Sequence, residues 1–166
     1  MDKRWIGIVI ILIAGIGCMY LIATEMTGVG NAVSVVEDVS ITIPTEYINS
    51  EDGASFCVLF NKKTNETVRI RCLDDGSSYT NEYNKQLKTL NGQDNIIINN
   101  KFKNKNLSMI EYENKSSKDR RYISLVYFDK CNHTFSMKME HFTNDTRKEN
   151  TINFIIENMK IDFKQL

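Results

Sequence analysis

The sequence predicts an α+β fold with a mainly antiparallel sheet, carried behind an N-terminal transmembrane helix. Three observations predict it. An uncharged apolar run, Trp5 to Ala23, stands near the start of the 166-residue chain. Behind it, seven short runs rich in Val, Ile, Phe and Tyr read as strands, bounded by Asn, Lys, Gly and Asp clusters. Only two stretches carry the helical period, and runs of neighbouring strands separate them, without the regular alternation that a parallel sheet requires. The predicted order is βββαββββα.

The first run, WIGIVIILIAGIGCMYLIA, is nineteen residues long, close to the roughly 20 that a helix needs to cross about 30 Å of hydrocarbon. Lipid offers no partner to exposed backbone groups, so such a run spans as a helix. Lys3 and Arg4 precede it and Glu25 follows, which keeps residues 1–4 in the cytoplasm and sends the rest outside. The expected location is the cell membrane, single-pass, with the C-terminal domain outside and lipid as the partner of residues 5–23. A cleaved signal would need a shorter core and a small-x-small site, and Thr24 to Thr27 is interrupted by Glu25 and Met26. A lipoprotein reading through Cys18 fits poorly, because apolar Met19 to Ile22 follow it.

Residues 24–36, with Gly28 and Gly30, read as a tether, and residues 37–166 as the extracytoplasmic domain. Val39, Ile41 and Ile43 alternate with polar residues and stop at Pro44, the pattern of a half-buried strand. Ser55–Phe60 and Val68–Leu73 flank a polar Asn61–Glu66 segment, which makes a hairpin. Tyr79, Tyr83, Leu87 and Leu90 then recur at helical spacing, with Ser77 or Ser78 to cap the start and Asn91-Gly92, residues that accept positive φ, at the end. Four strands follow at Asn95–Asn99, Leu107–Tyr112, Tyr122–Phe128 and Thr134–His141. Phe135, Met137 and Met139 give the last of these one core face. A closing helix presents Ile152, Ile155, Ile156 and Met159 as one stripe, with Thr146 and Glu149 spaced as a capping box. The two apolar helix faces need sheet surface, on one side or on both.

The opening strand ending in Ile41-Thr42-Ile43-Pro44, the early hairpin, the middle helix, the four-stranded run and the Ile-rich closing helix together resemble PsbP/Mog1-like domains. The resemblance covers residues 37–163 and rests on element order. It implies an α/β/α sandwich, an architecture found in membrane-anchored and lipoprotein versions in prokaryotes. Members bind very different partners, so it implies no activity and carries over no functional residue.

Cys57 and Cys72 lie on the two hairpin strands, and a register centred on Thr64 and Asn65 would set them opposite each other for a disulfide. A slipped register keeps their faces and separates the sulfurs. Cys131, His133 and His141 have the residue types of a metal site, but eight residues of strand hold the two histidines roughly 26 Å apart. One ion does not reach both, so no metal is expected. Asp74-Asp75-Gly76-Ser77 lacks the alternating carboxylates of a calcium loop and reads as a turn. No nucleophile elbow, phosphate-cradling glycine loop or zinc-protease motif occurs, so neither a catalytic residue nor a cofactor is expected. Asn65, Asn106, Asn114, Asn132 and Asn144 each open an Asn-x-Ser/Thr triplet, a glycosylation acceptor if the cell of origin modifies exported chains.

The 21 basic and 21 acidic side chains cancel, which removes the counterion-release argument for nucleic acid. The balance is nevertheless uneven: residues 26–75 hold eight acidic and four basic side chains (net −4), and residues 76–166 hold eleven and fifteen (net +4). Lys101, Lys103 and Lys105 alternate along one segment, as a basic patch for an anionic envelope polymer or lipid headgroup, or as lysines guarding a sheet edge. Missing catalytic motifs and the span together suggest a membrane-anchored, non-catalytic binding domain whose partner is an envelope protein or polymer. An anchored ectoenzyme with a carboxylate or thiol site, and a pilin-like surface subunit, are the alternatives.

Overall fold

The structure, a computed structural model, describes residues 32–73, 76, 78–116, 121–142 and 147–161. The expected span at 5–23, the tether up to residue 31, Asn144, Thr146 and most of the Asp74–Ser77 turn lie outside the described residues. Among the described residues, no helix is long and apolar enough to cross a membrane.

Among the described residues, twelve elements run in the order β1 (Ala32–Val36), β2 (Val39–Thr42), β3 (Tyr47–Gly53), β4 (Phe56–Asn61), β5 (Glu66–Cys72), α1 (Tyr79–Asn91), β6 (Ile96–Lys103), β7 (Leu107–Asn114), β8 (Tyr122–Lys130), β9 (His133–His141), α2 (Arg147–Glu157) and β10 (Met159–Ile161). Seven strands form one sheet in the order β3-β4-β5-β9-β8-β7-β6, and every pair is antiparallel. The chain makes a β3-β4-β5 meander, crosses by α1 to the far edge at β6, and steps back until β9 pairs with β5. A small second sheet, β1-β2-β10, is also antiparallel.

Strand alternation divides the core in two. Val126 and Phe128 of β8 join Val68, Ile70, Phe135, Met137 and Met139 on the front face, against the small sheet and Ile152 and Ile155 of α2. Leu125 and Tyr127 point to the back, where Tyr83 and Leu90 of α1 cover Ile110 and Tyr112. The helices therefore lie on opposite faces, α1 mainly over β6–β8 and reaching β9. The fold is α+β with a mainly antiparallel sheet, as expected.

Four details differ from the sequence reading. Residues 32–36, assigned to the tether, form β1, whose Val33 and Val35 are buried. The folded unit therefore begins before residue 37. Tyr47–Gly53 is an edge strand with one buried residue, Tyr47, and so shows little periodicity. Met159 belongs to β10 and pairs with Ile41, so the helical stripe stops at Ile156. Gly92 closes α1 at φ −88, outside the left-handed region, while its N–H bonds the carbonyls of Leu90 and Thr89.

Candidate functional site

A row of polar side chains interrupts the front face where α2 meets the sheet. Register places Asn100 opposite Glu111 and Glu111 opposite Ser124. The Ser124 hydroxyl donates to Glu111 Oε1 at 3.2 Å and lies 3.1 Å from His141 Nε2. Since the single hydroxyl proton goes to the carboxylate, Nε2 donates to Ser124 Oγ. Lys148, in the first turn of α2, donates to the same Glu111 oxygen. Tyr122 stacks on the His141 ring, centroids 5.9 Å apart. Burial by itself would raise the Glu111 carboxyl, but the hydrogen bond and charge of Lys148, with Asn100 and Ser124, together hold it below the usual carboxylate range.

These are the residue types of nucleophilic catalysis, here enclosed in the core. Glu111 and His141 both meet the Ser124 hydroxyl, so the serine stands between carboxylate and imidazole. Ser124 has no exposed surface and His141 is 1% exposed, so no substrate reaches the oxygen. What the network does is fix the start of α2 on β7, β8 and β9.

Beside it opens a groove of about 320 Å³ between α2 and the front of β6 and β7. Leu107, Met109 and Val126 form its floor and Ile152 its wall, with Glu149 and Asn153 on the helix rim. Phe102 stands at its mouth, 46% exposed, and Ile97 lies further along β6 at 38%. A bulge between Ile98 and Asn100 sets this pattern. Before it, Ile96 and Ile98 pack back against the α1 cluster while Ile97 faces front. After it, Asn100 and Phe102 face front, and Lys101 and Lys103 face back with Ile110 and Ser108.

A second cleft, of about 530 Å³, lies between the β4–β5 turn and the start of α2. Tyr47 donates to Glu66 Oε2 at 2.9 Å and Thr64 donates to the same oxygen at 2.8 Å. Burial, then the charge of Glu66, pushes the Tyr47 phenol well above its ordinary value. Lys62, Lys63 and Arg147 line the outer part with Glu46, so charge of both signs is present.

The structure takes the slipped hairpin register, with Cys57 opposite Ile70, and no disulfide joins Cys57 to Cys72. Lys101 and Lys103 are exposed on edge strand β6, with Lys105 in the turn that follows. Lys103 Nζ lies 5.9 Å from the Tyr83 ring centre, and Tyr79 bonds the Lys105 carbonyl at 2.9 Å. Asn65, Asn106 and Asn132 are exposed, and Asn114 is half-buried, its Oδ1 accepting from Asn95 and Ser116. His133 and His141 occupy opposite ends of β9. His133 pairs with Asp38 at 3.2 Å, and among the described residues no three metal-ligating side chains converge.

Sequence reasoning did not single out Glu111, Ser124 or Lys148. Their signal was present, because each stands at a core position: Glu111 after Leu107 and Met109, Ser124 before Val126 and Phe128, and Lys148 one turn ahead of Ile152.

The architecture is that of an α+β sandwich with one helix on each face of an antiparallel sheet, and solved structures share it. The Ran-binding protein Mog1p of Saccharomyces cerevisiae superposes with a TM-score of 0.52 over 80% of this chain and 96% of its own, at 10% identity. A protein from Bacteroides thetaiotaomicron VPI-5482 gives 0.55 over 82% of this chain at 15% identity, and the match spans half of that protein's length. Both likenesses are of fold. No protein-family model and none of the curated proteins matches the sequence.

Proposed function

We propose that this is a non-catalytic protein-binding domain that presents the groove between α2 and β6 to its partner, held at the cell membrane by residues 5–23 with the domain outside. The observation that carries it is the contrast between two neighbouring features of the front face. The Glu111–Ser124–His141–Lys148 network is closed to solvent, whereas the adjoining groove is apolar, open and marked by the exposed Phe102. Exposed aromatic residues beside a cleft are common anchors of protein recognition. The fold likeness to a Ran-binding protein supports a protein partner, and the neutral net charge argues against nucleic acid.

The test is site-specific photo-crosslinking in the cell of origin, with a benzophenone amino acid at Phe102 and, as a control on the opposite face, at Arg71. A discrete adduct from position 102 and none from 71 is expected; equal or absent adducts at both overturn the assignment. Protease added to intact cells checks the orientation, with cleavage of the domain before lysis as the expected result.

A further inference from the structure

We propose that strand β6 accepts an extended acidic–apolar segment of a partner as an additional strand, an inference that rests on the protein-binding reading of the groove and names its ligand class. Among the described residues β6 closes one edge of the seven-stranded sheet, so alternate backbone N–H and C=O groups along it point outward, toward where another strand would pair. Its side chains beyond the bulge present two different rows. Phe102 and Asn100 face the apolar groove, and Lys101 and Lys103 face back, both exposed, with Lys105 just beyond.

A strand added about 4.8 Å away alternates its own side chains between the same two faces. An apolar side chain on its front row reaches over Phe102 toward Leu107, Met109 and Ile152, while a carboxylate on its back row meets Lys101 or Lys103. The complementary ligand therefore alternates apolar and acidic residues.

A second copy of this chain fits less well. Its free edge, β3, is acidic at Glu51 and Asp52, but Glu51 is paired with Arg69 at 3.7 Å. The front row of β3 offers a buried Tyr47, a polar Asn49 and, past the bulge, Asp52, while its exposed Ile48 shares the back row with Glu51, so either facing of the copy brings a carboxylate to the apolar groove.

The test uses the full-length chain and a short fluorescein-labelled peptide in which leucine and glutamate alternate, with a leucine–lysine peptide as control. Saturable anisotropy change is expected for the acidic peptide alone, weakened about tenfold or more by Lys101→Glu with Lys103→Glu, and weakened by added salt. The charge-reversed variant should in turn bind the leucine–lysine peptide. Methylating alternate backbone nitrogens of the peptide should abolish binding in one of the two registers only, which separates strand pairing from simple ion pairing. No binding of the acidic peptide, or equal binding of both peptides, overturns the proposal. Self-association of the chain that is lost in the Lys101→Glu, Lys103→Glu variant would give the edge to a second copy and also overturn it. Crosslinking from Phe102 without peptide binding would leave the protein-binding reading standing and sink this one.

Discussion

Lys148 in the first turn of α2 and Glu111 in the middle of β7 form an ion pair with both side chains withdrawn from solvent, 6% and 9% exposed. A pair so placed is costly to break and cheap to replace whole. Removing one partner leaves an uncompensated buried charge, and Lys148→Met is expected to cost about 3–5 kcal/mol. Combining it with Glu111→Leu should recover most of that loss, because Ser124 keeps its bond to His141. Urea denaturation of the two variants checks this; a double variant no more stable than Lys148→Met would show that the network does more than join α2 to the sheet.

The same pair sets a response to acid. The folded Glu111 carboxyl lies below its usual range, because the opposing pull of burial is outweighed by Lys148, Asn100 and Ser124. A depressed carboxyl contributes stability that is fully present above its unfolded value of about 4.3 and is lost as pH falls through the lower folded value. Glu140 shifts the same way, with burial outweighed by Lys138 and Arg121, but its greater exposure screens the effect. Unfolding midpoints should be flat near neutrality and fall below roughly pH 5. Glu111→Gln should reduce that acid slope, and an unchanged slope would assign it to other carboxylates.

Elements with strong local periodicity were legible in the sequence, and those defined by distant partners were not. β9 and α1 were readable because Phe135, Met137 and Met139, and Tyr79, Tyr83 and Leu87, repeat at strand and helix spacing. β3 carries one buried residue among seven, so pairing with β4 and not its own pattern makes it a strand. β10 is three residues long and continues an apolar helical stripe, so only Ile41 across from Met159 reveals it. The polar network was visible as three exceptions in apolar rows, but which of them meet depends on the β6-β7-β8 register and on where α2 lands. Neither is local.

β1 tests where the folded unit begins. Val33 and Val35 face the front core, and Val35 is fully buried. Burying a valine side chain contributes roughly 1.5–3 kcal/mol, so a chain trimmed to start at residue 37 should lose several kcal/mol relative to one starting at residue 31. Urea midpoints of the two chains decide it, and equal midpoints would return residues 32–36 to the tether.

The β8–β9 connection carries strain that a substitution can relieve. Lys130 pairs with His133 across two residues, Cys131 at φ 52 and Asn132 at φ 60. Positive φ at both central positions is the tight hairpin turn that suits the sheet's twist and favours Asn followed by Gly. Cys131 has no local hydrogen-bonding side chain to support that conformation, which costs roughly 1–2 kcal/mol for such a residue. Cys131→Asn should therefore raise stability by up to about 1 kcal/mol, less the apolar contact that the sulfur makes with the front core. Reactivity follows from the same geometry. Cys57 is buried, and burial followed by the charge of Asp52 pushes its thiol up to about 12. Cys131 is half-buried, its thiol also raised by burial. In a Cys18→Ser background, iodoacetamide at mild alkaline pH should label Cys131 first, and Cys57 and Cys72 only as urea unfolds the chain. Labelling of Cys57 in the native state, or a Cys57–Cys72 disulfide on mild oxidation, would mean that the β4–β5 register slips in solution.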